Sequence, residues 1–201
     1  MSTSYESSGR IQQKQRTRNE IIAAARDLLA RGASVTVESA ALAASISRTT
    51  AYRYFPTQKA LLIAAHPEIE ASTLLPPHIG EDPEERLVAA VTAFCDLIVD
   101  TEPQLRTMLR LSLEPESSPR ELPLRKGRAI AWFEEVLSPL RSQLGDEQVR
   151  RIAIAIRGVV GIESLIWLTD IAGLTRAEAT QQMLWSAVAI LRRALAEGPP
   201  G

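Results

Sequence analysis

The chain is poor in the residues that build disulfide frameworks and zinc sites. Its 201 residues include one cysteine, Cys95, and two histidines. A single cysteine excludes an intrachain disulfide and suits a reducing compartment. Structural zinc sites draw their four ligands mainly from cysteine and histidine, so three such residues in all argue against one. We expect no metal and no cofactor.

Long uncharged stretches are also missing. The longest one, residues 179–191, is shorter than the roughly 20 residues of a membrane-spanning helix. Residues 1–18 are polar and basic, without the apolar core of a secretory signal. These observations predict a cytoplasmic protein that has no membrane partner.

The net charge of −1 argues at first against a nucleic-acid partner, but the charge is divided unevenly. Residues 1–63 hold nine basic and four acidic side chains, a net of +5, and residues 64–201 hold fourteen and twenty, a net of −6. This asymmetry indicates a basic module for a polyanion and an acidic module with another role. The alternative is chance clustering on a solvated face.

Periodicity and capping signals predict an all-α protein of about nine helices, the first four of them short. Thr17 and Glu20 form a capping box for a helix that begins at Arg18. Thr36, Ser47 and Thr57 can cap the next three helices. Only residues 45–47 separate the second helix from the third, which predicts a helix-turn-helix. No alternating strand pattern appears in the sequence.

Longer helices are predicted after residue 80. The predicted spans are 83–101, 103–113, 124–137, 146–171 with Asp146 as its cap, and 176–196 after a capping box at Thr175, with a loop at 114–123. The predicted domains are a disordered basic arm (1–16), a helix-turn-helix domain (17–63), a larger helical domain (64–197) and a tail (198–201).

The third helix has the composition of a major-groove reader. Arg48 can pair bidentately with guanine, and Thr49 and Thr50 offer hydroxyls to bases or phosphates. Tyr52 and Tyr54 carry hydroxyls on rigid stems that suit phosphate contacts. The alternative for the tyrosines is ordinary packing.

Residues 18–62 resemble the DNA-binding domain of the tetracycline-repressor (TetR) family. The matching positions are Thr36, Ala41, Ala44, Ser47, Thr50, Tyr52, Tyr54, Phe55 and Leu61. Three positions depart from the family pattern. Ser45 replaces the turn glycine, Gln58 replaces a phosphate-binding lysine, and Glu38 lies where a basic residue is common. The carboxylate of Glu38 must point away from DNA or pair with an arginine.

The resemblance implies a homodimeric transcriptional regulator, most simply a repressor that a small-molecule effector releases from a pseudo-palindromic operator. The DNA-binding residues that it implies, together with those read from the sequence, are Arg18, Thr36, Ser47, Arg48, Thr49, Thr50, Tyr52, Arg53, Tyr54 and Lys59. Two alternatives are an architectural DNA binder without a ligand and an all-helical enzyme. No catalytic motif was found, so we expect no enzymatic activity.

The last two long helices are the predicted dimer interface and part of a predicted ligand pocket. Predicted interface residues are Gly158, Gly161, Met183, Leu184, Val188 and Leu191, and predicted pocket residues are Phe94, Met108, Trp132, Glu163 and Trp167. Glu163 and Asp170 interrupt an apolar face beside Trp167, which suggests a site for a cationic ligand. The alternative is an ion pair with Arg150, Arg151 or Arg157.

Overall fold

The computed structural model describes residues 3–66, 72–113 and 128–199, with side chains at 11–66, 72–113 and 129–199. The helices are α1 (Thr3–Ala30), α2 (Val37–Ala43), α3 (Arg48–Tyr54), α4 (Gln58–Ala65), α5 (Pro83–Asp100), α6 (Glu102–Leu113), α7 (Arg128–Val136), α8 (Arg141–Leu144), α9 (Asp146–Val159), α10 (Ile162–Ile166) and α11 (Arg176–Glu197). A 3₁₀ turn (Ser138–Leu140) precedes α8, and a π turn (Trp167–Ile171) follows α10. The residues described contain no strand, so the all-α prediction is confirmed.

The chain divides into two compact units. The head unit comprises Met1–Glu70 and Arg106–Leu124, and the core unit comprises Ala71–Leu105 and Arg125–Gly201. The predicted division after residue 63 missed the second segment of the head, because α6 crosses the boundary after Leu105. Met108 and Leu111 on α6 pack against the buried cluster of the head.

Helix α1 is longer than predicted. It begins at Thr3, so the expected disordered arm (1–16) and the start at Arg18 are corrected, and Thr17 lies inside the helix. Gln, Lys and Arg, which favour helices, dominate residues 10–18. Pairs four residues apart add support, since Arg16 lies 3.0 Å from Glu20. These preferences continue the helix through the expected cap.

The head has an interior of small side chains. Ala25, Ala40, Ala41 and Ala51 are fully or almost fully buried, together with Ile21, Leu61 and other aliphatic residues. Small side chains let α2 and α3, seven residues each, pack closely against α1. The caps of these short helices are the predicted ones: the hydroxyls of Thr36, Ser47 and Thr57 accept hydrogen bonds from backbone N–H groups three residues later.

The turn between α2 and α3 adopts a left-handed residue. Ser45 has a φ of 56°, where the resemblance would place glycine. The N–H of Ser45 donates to Leu42 O at 3.0 Å, and the N–H of Ile46 donates to Ala41 O at 2.9 Å. These two bonds form a Schellman motif that closes α2 and directs the chain into α3.

The core unit has an interior of aromatic and large aliphatic side chains from α5, α7, α9 and α11. The ring of Phe94 meets those of Trp132 and Phe133 edge-on, with centroids 6.1 and 5.9 Å apart. Arg86 is buried beside this cluster, and its guanidinium donates to the backbone oxygens of Val136 and Glu135 at 2.9 and 3.1 Å. The arginine thereby satisfies carbonyls at the end of α7. Helix α7 lies within the predicted span 124–137. Residues 124–127 and the predicted loop 114–123 lie outside the described residues.

The predicted helix 146–171 is divided into α9, α10 and the π turn. The break falls at Val160 and Gly161, and a Cβ atom at Gly161 would overlap the guanidinium of Arg157. Gly145, rather than Asp146, occupies the capping position of α9. Gly173, with a φ of 76°, follows the π turn, near the predicted end. The predicted single helix 146–171 is therefore corrected.

One segment among the described residues has the length and composition of a membrane span. It is Asp146–Ile171, whose most apolar 18-residue window has a mean hydropathy of 1.7 and is 44% buried inside the chain. Ile152 and Ile156 face the core of the unit in this segment, and the break at Val160 interrupts it. These features are those of a core helix, and length and composition alone are weak evidence for a span.

Candidate nucleic-acid interface

One side of α3 is buried and the other is exposed. Ala51 and the following Phe55 anchor the helix in the head, with 0% and 2% exposure. Arg48, Thr49, Tyr52 and Arg53 occupy the other side and are exposed. The exposed side therefore offers two guanidiniums and two hydroxyls, which are donors for phosphate oxygens and base edges.

Several predicted DNA-binding residues are engaged inside the head. Ser47 donates its hydroxyl to Thr50 Oγ1 at 2.8 Å while capping α3. Tyr54 is half-buried and packs against the head cluster, as the packing alternative proposed. The guanidinium carbon of Arg18 lies 5.4 Å from the centroid of Phe55. Thr36 holds a reciprocal cap with Ser39. These contacts position α2 and α3.

Glu38 pairs with two of the predicted contact residues. Its Oε1 accepts a hydrogen bond from the hydroxyl of Tyr52 at 2.6 Å and lies 2.9 Å from Nη2 of Arg48. The guanidinium carbon of Arg48 lies 5.8 Å from the centroid of the Tyr52 ring. The hydrogen bond from Tyr52, with a smaller contribution from the charge of Arg48, lowers the pKa of the Glu38 carboxyl. The same hydrogen bond raises the pKa of the Tyr52 phenol. We call these three residues the Glu38 triad.

Gln58 has a structural contact in place of the lysine of the family pattern. Its side-chain amide donates to Val35 O at 2.6 Å and ties the start of α4 to the segment before α2. Lys59, the next residue, is half-buried. The sequence left open whether Gln58 could donate to phosphate, and the structure directs its amide to the backbone of the head.

Sequence reasoning found the members of the triad but not their arrangement. It left two possibilities for Glu38, orientation away from DNA or an arginine partner, and the structure has the arginine partner, Arg48. Tyr52 lies fourteen residues beyond Glu38, on another helix. The turn at Ser45 and the small buried side chains between α2 and α3 bring the two residues together. A contact that depends on a turn geometry has no periodic signal in a sequence.

Two of the five predicted pocket residues share a cavity in the core unit. Phe94 and Trp132 are 2% and 3% exposed and belong to the interior of the core unit, and the indole N–H of Trp132 donates to Ser72 O at 3.2 Å. Met108 belongs to the head cluster. Glu163 and Trp167 share a cavity, an open one of about 380 Å³ between α10 and α11. The predicted pocket as a whole stays a prediction.

Glu163 forms one of the ion pairs that the sequence offered as an alternative. Its Oε2 lies 3.4 Å from both terminal nitrogens of Arg157. Arg157 also donates to Val160 O at 3.1 Å, and its guanidinium carbon lies 5.9 Å from the centroid of Phe94. The ion pair lies against the helix break at Gly161 and connects it to the aromatic cluster.

Three of the six predicted interface residues are buried within the chain. Met183 and Leu191 on α11 are 1% and 0% exposed and pack into the core unit, so their assignment to a dimer interface is wrong. Gly161 is also buried, and Leu184 and Val188 are half-buried. Gly158 is exposed. The apolar stripe of α11 faces the interior of its own unit because α5 and α9 cover it.

Small residues line the groove between α11 and the helices α9 and α10. Gly158, Ser164 and Ser186 line the cavity that also holds Glu163 and Trp167. A second cavity of about 380 Å³ lies between α9 and α11, and its lining includes Ala155, Ala189 and Ile190. Trp167 is 57% exposed and Trp185 on α11 is 67% exposed. This surface combines small residues, which allow close approach of a helix, with exposed aromatic side chains.

No protein-family model matches the sequence, and no curated protein matches it either.

Proposed function

We propose that the chain is a sequence-specific DNA-binding transcriptional regulator of the TetR type, and that α3 enters the major groove. The observation that carries the proposal is the exposed side of α3, where Arg48, Thr49, Tyr52 and Arg53 lie opposite a buried anchor. A helix fixed from behind by Ala51 and Phe55 can present these donors as a rigid set.

The charge distribution supports the same proposal. The net charge of +5 in residues 1–63 attracts phosphates, whereas the acidic remainder weakens non-specific attraction elsewhere on the chain. Arg53, in the last turn of α3, is placed for a phosphate or base contact, and Arg48 is placed for guanine. A repressor that blocks a promoter needs no further chemistry than such binding.

The second part of the proposal is a homodimer. Two heads joined by a two-fold axis bind a pseudo-palindrome, with half-sites one or more helical turns apart. We place the interface on the groove of small residues along α11, with Gly158, Ser186 and Ala189 at the closest approach. Trp167, which lines one of these cavities and is 57% exposed, supplies apolar area beside these small residues. The effector of this proposal has no assigned residues.

The test is DNA affinity of α3 variants alongside their oligomeric state. The DNA is a duplex selected from a random pool by the unaltered chain. A variant that combines Arg53→Gln and Thr49→Ala should bind this selected duplex more weakly, on the order of tenfold or more. Arg141→Gln is the matched control, because it removes one positive charge from an exposed ion pair with Asp146 in the core unit. Fluorescence anisotropy measures the affinity, and sedimentation should show dimers for all three proteins.

Two outcomes would contradict the proposal. If the α3 variant binds as tightly as the unaltered chain, α3 does not contact DNA. If the unaltered chain binds shuffled DNA as tightly as the selected duplex, the chain is an architectural binder and α3 does not select a sequence.

A further inference from the structure

Each residue of the Glu38 triad contacts the other two, on the exposed surface of α2 and α3. One carboxylate oxygen receives both the Tyr52 hydroxyl, at 2.6 Å, and Nη2 of Arg48, at 2.9 Å. The guanidinium of Arg48 is also held near the Tyr52 ring, at 5.8 Å from its centroid. A long side chain that would otherwise sample many rotamers therefore has two fixed partners.

Stability does not account for this arrangement. The side chains of Arg48 and Glu38 are 73% and 39% exposed, and an ion pair at that exposure contributes little to folding. A carboxylate on a surface that faces DNA also repels phosphate. The effect that remains is orientation, because Glu38 fixes the direction in which the other donors of Arg48 point.

We propose that Glu38 is a positioning and specificity-determining residue, and that the Arg48–Glu38 pair together binds one G·C base pair in each half-site. This inference rests on the proposed function. In the major groove a G·C pair presents two acceptors, guanine N7 and O6, followed by one donor, the cytosine N4 amino group. Arg48 supplies two N–H donors to guanine, and the Glu38 carboxylate accepts from cytosine N4.

The donors of Arg48 and the acceptor of Glu38 follow the same order as the acceptors and the donor of the G·C edge. An arginine has five N–H donors and a carboxylate has about four lone-pair sites, so both retain capacity after bonding each other. An A·T pair presents an acceptor, then the adenine N6 donor, then the thymine O4 acceptor. A donor of Arg48 would then face the N6 donor, and the acceptor of Glu38 would face the O4 acceptor. Neither contact could form a hydrogen bond. The pair therefore rejects A·T as well as favouring G·C.

The experiment is selection of bound duplexes from a random pool by the unaltered chain and four variants, namely Arg48→Gln, Glu38→Gln, the double variant of these two and Glu20→Gln. Arg48→Gln identifies the base pair that depends on arginine. Glu38→Gln keeps the shape of the side chain and removes its charge, and should reduce the preference for G·C at that same base pair by about 5- to 150-fold. Glu20→Gln is the matched control, because it removes one exposed carboxylate from α1 of the same unit. It should leave the selected sequence unchanged.

Coupling between the two residues provides the readout that a purely structural role would not affect. Because Glu38 both positions Arg48 and contacts cytosine, the loss of preference in the double variant should be smaller than the sum of the losses in the two single variants. Additive losses would overturn the inference. Thermal melting should give similar midpoints for Glu38→Gln and Glu20→Gln, so that a folding defect is not taken for lost specificity.

The remaining outcomes separate this inference from the proposed function. If Glu38→Gln binds every duplex more tightly and keeps the selected sequence, Glu38 only repels phosphate and the inference is overturned while the regulator proposal stands. A loss at a different base pair overturns it in the same way. If the unaltered protein selects no sequence, the proposed function itself fails, and the inference fails with it.

Discussion

The head and the core unit use opposite kinds of interior. The head buries alanines between short helices, each with its own side-chain cap. The core unit buries aromatic and large aliphatic side chains between α5, α7, α9 and α11. Small side chains bring α2 and α3 together, which sets Glu38 against Arg48 and Tyr52. The interior of the head thus determines the surface geometry, whereas the interior of the core unit supplies buried apolar area.

The largest expected effect is in the aromatic cluster. Phe94→Ala should lower the free energy of unfolding of the core unit by about 3–5 kcal/mol, because it leaves a cavity beside Trp132 and Phe133. Urea denaturation followed by tryptophan fluorescence measures the loss. Ile171→Ala, at a side chain that is 73% exposed, is the control and should cost much less. Equal losses would contradict the assignment of Phe94 to the interior.

The second-largest effect on stability is expected from overpacking the interior of the head. Ala51→Leu inserts a larger side chain at a fully buried position and should destabilise the head by about 1–3 kcal/mol. Ala23→Leu places the same side chain on the exposed side of α1 and should be close to neutral. Circular dichroism during thermal unfolding compares them. A neutral Ala51→Leu would show that close approach of α3 does not require alanine.

Substitution of the turn residue Ser45 should have a smaller effect, and it should stabilise the head. Ser45→Gly should raise the free energy of unfolding by up to about 1 kcal/mol, since glycine adopts the φ of 56° without the steric cost. Ser142→Gly, on the exposed surface of α8, should destabilise slightly because glycine disfavours helices. Chemical denaturation of both variants measures the difference. A loss of stability at both positions would contradict the strain assigned to Ser45.

The last and smallest effect is the low reactivity of the Cys95 thiol in the core unit. Burial raises the pKa of Cys95 to about 12, so the reactive thiolate is scarce near neutral pH. Alkylation at pH 8 should be slow in the folded protein and fast in urea, as measured by mass spectrometry. Rapid labelling of the folded chain would show that Cys95 is accessible and that its side of α5 is open.

The prediction of the fold was accurate at most of the predicted caps, but the Thr17 box lies inside α1 and Gly145 replaces Asp146 as the cap of α9. Thr36, Ser47 and Thr57 cap the short helices of the head, and Asp82 and the Thr175 box open α5 and α11. It was wrong where packing competes with local signals. The Arg157 guanidinium packs against the break at Gly161, and Met108 joins the head through a contact distant in sequence.

For the site, the sequence identified residue types better than their partners. The exposed side of α3 follows from its spacing around Ala51 and Phe55, so that part was predictable. The inward direction of Met183 and Leu191 was not, because an apolar stripe does not say whether its own chain or a second copy covers it. Pairing across the turn at Ser45 was beyond prediction for the same reason: it requires the three-dimensional arrangement of two helices.

The ratio of two affinities tests the central claim most directly. The full chain would be titrated against its selected duplex and against a shuffled duplex of equal length and composition, both at about 150 mM salt. Binding to base edges by α3 predicts a ratio on the order of 10³ or more in favour of the selected duplex. A ratio near one would contradict the claim that the exposed side of α3 recognises sequence.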